Sequence, residues 1–156
     1  GAVVAQLDAD DVAAAFEVMA ALEGLSGELA CARISEAEID EIRALQYEML
    51  AHHARKDLSG YYRVNAQIHR AINRAARNPV LTETYDRINA RLQAFRFRSN
   101  FDADKWAAAV REHEAMVVAL AARDGARLRA ILVEHLNHKR DVVLAQLQAP
   151  PAQAQA

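Results

Sequence analysis

Asn65, His69, His113 and His135 have the chemistry of metal ligands, and each falls where a helix would turn an apolar side chain inward. In NAQIHRAIN, residues 65–73, Asn65 and His69 are spaced by four. At about 100° per residue they lie roughly 40° apart, one turn above the other. Their stripe reads Leu58, Tyr61 or Tyr62, Asn65, His69, Ile72; the others read Trp106, Val110, His113, Val117, Leu120 and Leu128, Leu132, His135, Val142. His113 stands eleven residues before Asp124 and His135 eleven after it, so in an antiparallel helix pair both imidazoles are about 16 Å from the turn. Burying these groups without partners costs about 1–3 kcal/mol each. A lone buried histidine is usually a hydrogen-bonded core residue, but four convergent positions on three helices point to a metal site. Three imidazoles and an oxygen donor suit zinc, nickel or another borderline divalent ion, with positions left for water or an anion.

The remaining histidines fit less well. His52 and His53 are adjacent near a helix end, and His138, one turn beyond His135, reads as solvated or as a support for a ligand. A diiron carboxylate bundle would need Glu-x-x-His on two helices. Glu112 and Glu134 instead each immediately precede a histidine and so point about 100° away from it. His-Glu-x-x-His, a nucleophile motif and a glycine-rich phosphate loop do not occur. A metal-dependent enzyme acting on a small acid or lactone stays the alternative to a binding function, although the stripes supply no general base.

The elements that must position these residues are helical. The 156 residues include only five Gly and three Pro, and abundant Ala, Leu, Glu and Arg favour helix. The first helix runs from about Asp10 to Arg33 on Val12, Phe16, Met19, Leu22 and Leu29, with an interruption expected near Gly24 and Gly27. Ser35 with Glu38 is a capping box opening the second helix, which carries Ile39, Ile42, Leu45 and Met49. Asp57 caps the third, to Asn78, and Pro79 opens the fourth, to about Asn100. Asp102 or Asp104 starts the fifth, and Asp124-Gly125 separates it from the sixth, which ends near Gln148. The expected fold is all-α, a single antiparallel bundle of six helices around a central metal or ligand pocket.

With 19 basic against 21 acidic residues the formal net charge is −2 and no basic run appears, which argues against nucleic-acid binding by this bundle itself. The single Cys31 excludes an internal disulfide framework. No apolar run approaches the roughly 20 residues of a membrane span, and no signal-peptide pattern opens the chain. The expected localisation is cytoplasmic.

FEVMAALEGL in the first helix, NAQIH in the third, the Asn78-Pro79 break, and REHEAMVVALAARDGARLRAILVEHL across the last two, in this order, resemble the FCD (FadR C-terminal) domain. This is the effector-binding domain of the FadR subfamily of GntR transcriptional regulators, and six helices look more like its VanR-type branch. The resemblance implies a homodimer whose metal is held by Asp or Asn and three histidines, here Asn65, His69, His113 and His135. It further implies that a small carboxylate effector modulates operator binding by an N-terminal winged helix-turn-helix. Residues 1–8 would then be a remnant of the wing and linker, 9–148 the ligand-binding and dimerisation domain, and 149–156 a disordered tail.

Two departures from the family pattern bear on the pocket. Asn65 stands where many members have Asp, so a divalent ion there keeps a formal charge of +2, which weakens metal binding and strengthens attraction for an anion. Met19 stands where many relatives have an arginine, four residues before the glutamate equivalent to Glu23. The replacement cation expected is Arg91, level with Asn65 across the turn at Asn78, and Tyr62, near Asn65, is expected to offer its hydroxyl to the effector. The run RFRSNFDADK reads as a solvated loop, with Arg96 and Arg98 outside the site, and Trp106 as a plug at the bundle end.

Overall fold

All six helix starts in the computed structural model are fixed by a polar side chain accepting from the backbone of the first turn. The structure describes residues 7–98 and 102–148, the side chains of 97 and 98 excepted. The helices are α1 (Ala9–Arg33), α2 (Glu36–Ala54), α3 (Leu58–Ala75), α4 (Pro79–Arg98), α5 (Ala103–Ala121) and α6 (Gly125–Gln148), and no strand occurs among the described residues. Asp8 with Asp11 and Ser35 with Glu38 form capping boxes at α1 and α2. Asp57 caps α3 through the Gly60 amide, Asp102 caps α5 through those of Asp104 and Lys105, and Asp124 accepts from the Arg127 amide in α6. At α4, Asn78 Oδ1 accepts from the Leu81 amide, beside Pro79 at the first helical position.

Three junctions share one device. Lys56, Arg77 and Arg123 adopt positive φ and each directly precedes the Asx residue that caps the next helix. The left-handed residue closes one helix and the side chain behind it opens the next within two residues. The proposed wing remnant lies almost wholly outside the described residues, as do the tail 149–156 and the centre of the RFRSNFDADK segment.

α1 is central: it packs on α3, α4, α5 and most extensively on α6, while α2 pairs with α3. One apolar cluster joins α2, α3, α5 and the Leu128–Leu132 part of α6 around Ile39, Tyr61, Ile68, Met116 and Leu120. A second joins α1, α4 and the later half of α6 around Phe16, Met19, Leu92 and Leu136. Trp106 is buried and packs edge-on against Tyr61, ring centroids 5.2 Å apart.

Gly24 and Gly27 do not interrupt α1, which continues through both. Their role is close approach. A Cβ on Gly27 would lie 2.5 Å from Leu132 Cδ1 and 2.9 Å from Leu128 Cγ, both side chains being fully buried. Tertiary contact with α6 overrides the weak helix propensity of glycine. Gly27→Val is therefore expected to destabilise the protein by about 1–3 kcal/mol through overpacking. Thermal denaturation should show a midpoint roughly 2–12 °C lower; an unchanged midpoint would rule out the tight α1–α6 contact.

Candidate metal centre

The three histidine-bearing helices bring their imidazoles together at the centre of the bundle. His69 on α3, His113 on α5 and His135 on α6 have ligand nitrogens all within 4.8 Å of one another. The ring centroids are 4.9 Å (His69–His113), 5.2 Å (His113–His135) and 5.8 Å (His69–His135) apart. Asn65 is buried one turn before His69, and none of the four exposes more than 4 % of its surface.

A neighbouring carboxylate sets the tautomer of His69. Glu23 of α1 is buried, with Oε1 3.2 Å from His69 Nδ1. An ionised carboxylate can only accept, so Glu23 holds a proton on His69 Nδ1 and leaves Nε2 facing the cluster. There it meets His113 Nε2 at 3.1 Å. On α5, Glu112 places Oε1 3.4 Å from His135 Nδ1, without hydrogen-bond alignment, and Oε2 3.0 Å from His138 Nδ1. A carboxylate behind an imidazole is the arrangement that orients histidine ligands in metal proteins.

Several of these buried atoms have no hydrogen-bond partner: Asn65 Oδ1, His113 Nδ1 and both ring nitrogens of His135. Leaving such groups unsatisfied costs about 1–3 kcal/mol apiece. Burial first, then the charges of the neighbouring histidines and Lys139, push the pKa values of His113 and His135 well below the ordinary imidazole value. Both rings are thus neutral near pH 7, the form that donates a lone pair to a metal. Three buried imidazoles with convergent nitrogens, several of them orphaned, fit a borderline divalent cation such as zinc or nickel.

A buried ion pair supports the centre. Arg96 Nη2 lies 3.2 Å from Glu23 Oε1, and the Tyr85 hydroxyl donates to the same oxygen at 3.0 Å. Burial alone would raise the pKa of Glu23, but the charges of His69 and then Arg96 hold it below the usual carboxylate range. Glu23 is therefore an ionised anchor and a poor proton acceptor. A cavity of about 20 Å³, lined by Tyr62, Asn65, His69, Tyr85 and Arg96 among others, has room for a water or an ion and no more.

The expected replacement for the relatives' arginine does not hold. Arg91 is exposed, whereas Arg96 enters the site. Being level with Asn65 is not enough, because Arg91 points about 100° away from buried Leu92 while Arg96, one turn beyond Leu92, continues the inward stripe. That continuation is the signal in the sequence for Arg96, which belongs to α4 and not to a solvated loop; Arg98's side chain lies outside the described residues. Lys139, four residues after His135, is buried on the same logic. Tyr62 lines the small cavity and donates to the Gln93 carbonyl at 2.8 Å. His52 and His53 lie elsewhere, His52 against Asp57 and His53 against Trp106.

Comparison with known proteins agrees with this architecture. McbR/YncC of E. coli shares the fold, with a TM-score of 0.82 at 17% identity, over 92% of this chain and 72% of that one. No curated protein matches the sequence. The FCD domain family matches residues 14–138. That match takes in α1 from its second turn through the cluster-bearing part of α6, and the chain belongs to the FCD domain family.

Proposed function

We propose that this chain is the effector-sensing and dimerising domain of a GntR-type transcriptional regulator, in which Asn65, His69, His113 and His135 hold a divalent ion that helps bind a small carboxylate. The observation that carries the reading is the convergence of three buried imidazoles, with His113 Nδ1, both ring nitrogens of His135 and the nearby Asn65 Oδ1 left without a hydrogen-bond partner. Membership of the FCD family supports a regulatory role over an enzymatic one, as does the tied-up state of Glu23, the buried acid nearest the histidines.

A bound zinc or nickel would supply a fixed positive charge with a position open to an anionic oxygen. The chain's own residues do the rest. Glu23 orients His69, Glu112 faces His135, and Asn65 adds an oxygen without charge, so the centre keeps its attraction for an acid. Tyr62 is placed on the cavity wall to meet that acid; Arg91 is not. The cavity is too small for an organic acid as it stands, so binding requires α3 and α4 to separate at the Tyr62–Gln93 hydrogen bond. Tying α3, α5 and α6 together would then shift the populations of two arrangements of the dimer, by the ligand's difference in affinity for them. Operator DNA would be contacted by a winged helix-turn-helix, consistent with this bundle's net charge of −2 and lack of a basic run.

Elemental analysis tests the centre: about one equivalent of zinc or nickel is expected in the purified protein, lost in His69→Ala and in His135→Ala. With the ion at 1,000 times its Kd, chelation should remove about 4 kcal/mol of stability, roughly 8–16 °C in Tm. A parent protein that takes up no divalent ion would refute the metal reading. Asn65→Asp adds a negative charge to the ligand set and should tighten zinc by about tenfold or more (1.4 kcal/mol), measured by competition with a chromogenic chelator. Unchanged affinity would remove Asn65 from the ligands.

A further inference from the structure

A cavity of about 360 Å³ opens between the early part of α5 and the late part of α6, and it shares no residue with the small cavity beside Asn65. Its size falls within the roughly 300–1,000 Å³ usual for small-molecule sites. The space arises from side-chain size. Ala108 and Ala109 of α5 face Val142 and Ala145 of α6, and these short side chains leave unfilled the gap between two helices diverging from the Asp124 turn.

The polar lining is selective. Lys139 is a wall residue only 5 % exposed. Burial and then the charge of Arg96 push its pKa down to about 7, against the opposing pull of Glu112 and Glu23. An anion seated in the cavity would offset that desolvation. The two acids of the lining are already engaged: Glu112 faces His135 and His138, and Asp141 receives the Arg140 guanidinium at 3.1 Å. Exposed Lys105 adds a further positive charge. A cationic wall opposite methyl groups suits an anionic head on an apolar body.

Glu112 also joins this cavity to the histidine cluster. It lines the cavity, contacts His138 there with one oxygen, and reaches His135 with the other. We propose that this cavity is a second small-molecule site, for a monocarboxylate with an apolar body, coupled to the histidine cluster through Glu112. The site stands apart from the acid-binding position proposed at the metal, so either could fail alone.

Octanoate is a suitable probe, titrated calorimetrically into the full chain with and without zinc. Saturable binding of one equivalent is expected, at least tenfold weaker in both Lys139→Met and Ala145→Trp, and retained in His69→Ala. Ala145 is exposed, so its substitution fills the cavity with little threat to folding, which circular dichroism would verify. Absence of saturable binding up to millimolar octanoate, or binding indifferent to both substitutions, would overturn the proposal; binding lost in His69→Ala would place the acid at the metal centre instead. For the coupling, octanoate affinity should differ between zinc-loaded and zinc-free protein by the same factor as zinc affinity with and without octanoate. Glu112→Gln should abolish that difference, and equal affinities in the parent protein would disprove the coupling.

Discussion

The structure depends on how it compensates a polar centre buried inside an apolar bundle. Three imidazoles, a carboxylate, a guanidinium and an amide meet where α1, α3, α4, α5 and α6 converge. Glu23 and Arg96 neutralise each other, and Glu23 also fixes the His69 ring. Such an arrangement is not a cheap source of stability, because desolvating each charge offsets most of the attraction gained. What it does provide is orientation. Glu23 Oε1 takes contacts from two other helices, through His69 of α3 and through Tyr85 and Arg96 of α4, so the rotation of α1 against α3 and α4 is defined by one oxygen atom.

The helices and the three convergent imidazoles are legible in the sequence because periodicity carries that information directly. Helix starts at Ser35, Asp57, Pro79 and Asp124 follow from local capping chemistry. The similar height of His113 and His135 follows from counting residues on either side of one turn. Errors arose where a residue's role depends on a partner distant in sequence. Gly24 and Gly27 read locally as breaks, but the side chains that need their space lie over 100 residues later, on α6. Level alone points to Arg91, whereas azimuth points to Arg96; a charged residue on an inward stripe reads as solvated unless its counter-ion, here Glu23 on α1, is known.

Met19 and Asn65 can be understood together. The arginine that relatives place one turn before the glutamate is absent, and buried Met19 instead joins the apolar cluster with Phe16 and Leu92. Positive charge reaches Glu23 from α4 through Arg96, which shares the small cavity with Asn65 and His69. The centre thus combines three imidazoles and an amide with one ionised glutamate satisfied by its own arginine and a second glutamate, Glu112, partly exposed on the far side of His135. A divalent ion among these ligands would have its charge compensated only from behind the imidazoles, and the strongest remaining demand would be for an external anion.

The division of labour along α6 makes such a demand consequential. Its first half is held by the Asp124 turn and by Leu128 and Leu132 pressed against Gly27 on α1, contacts that leave little freedom. Its second half carries His135 and Lys139 on adjacent turns, with the large α5–α6 cavity beside them. Packed interiors switch between discrete arrangements more readily than they deform continuously. A change that draws His135 toward a ligand must therefore move the later half of α6 about its anchored start. That movement would alter the α5–α6 gap and the Glu112 contact together, so the histidine cluster and the neighbouring cavity share one mechanical element.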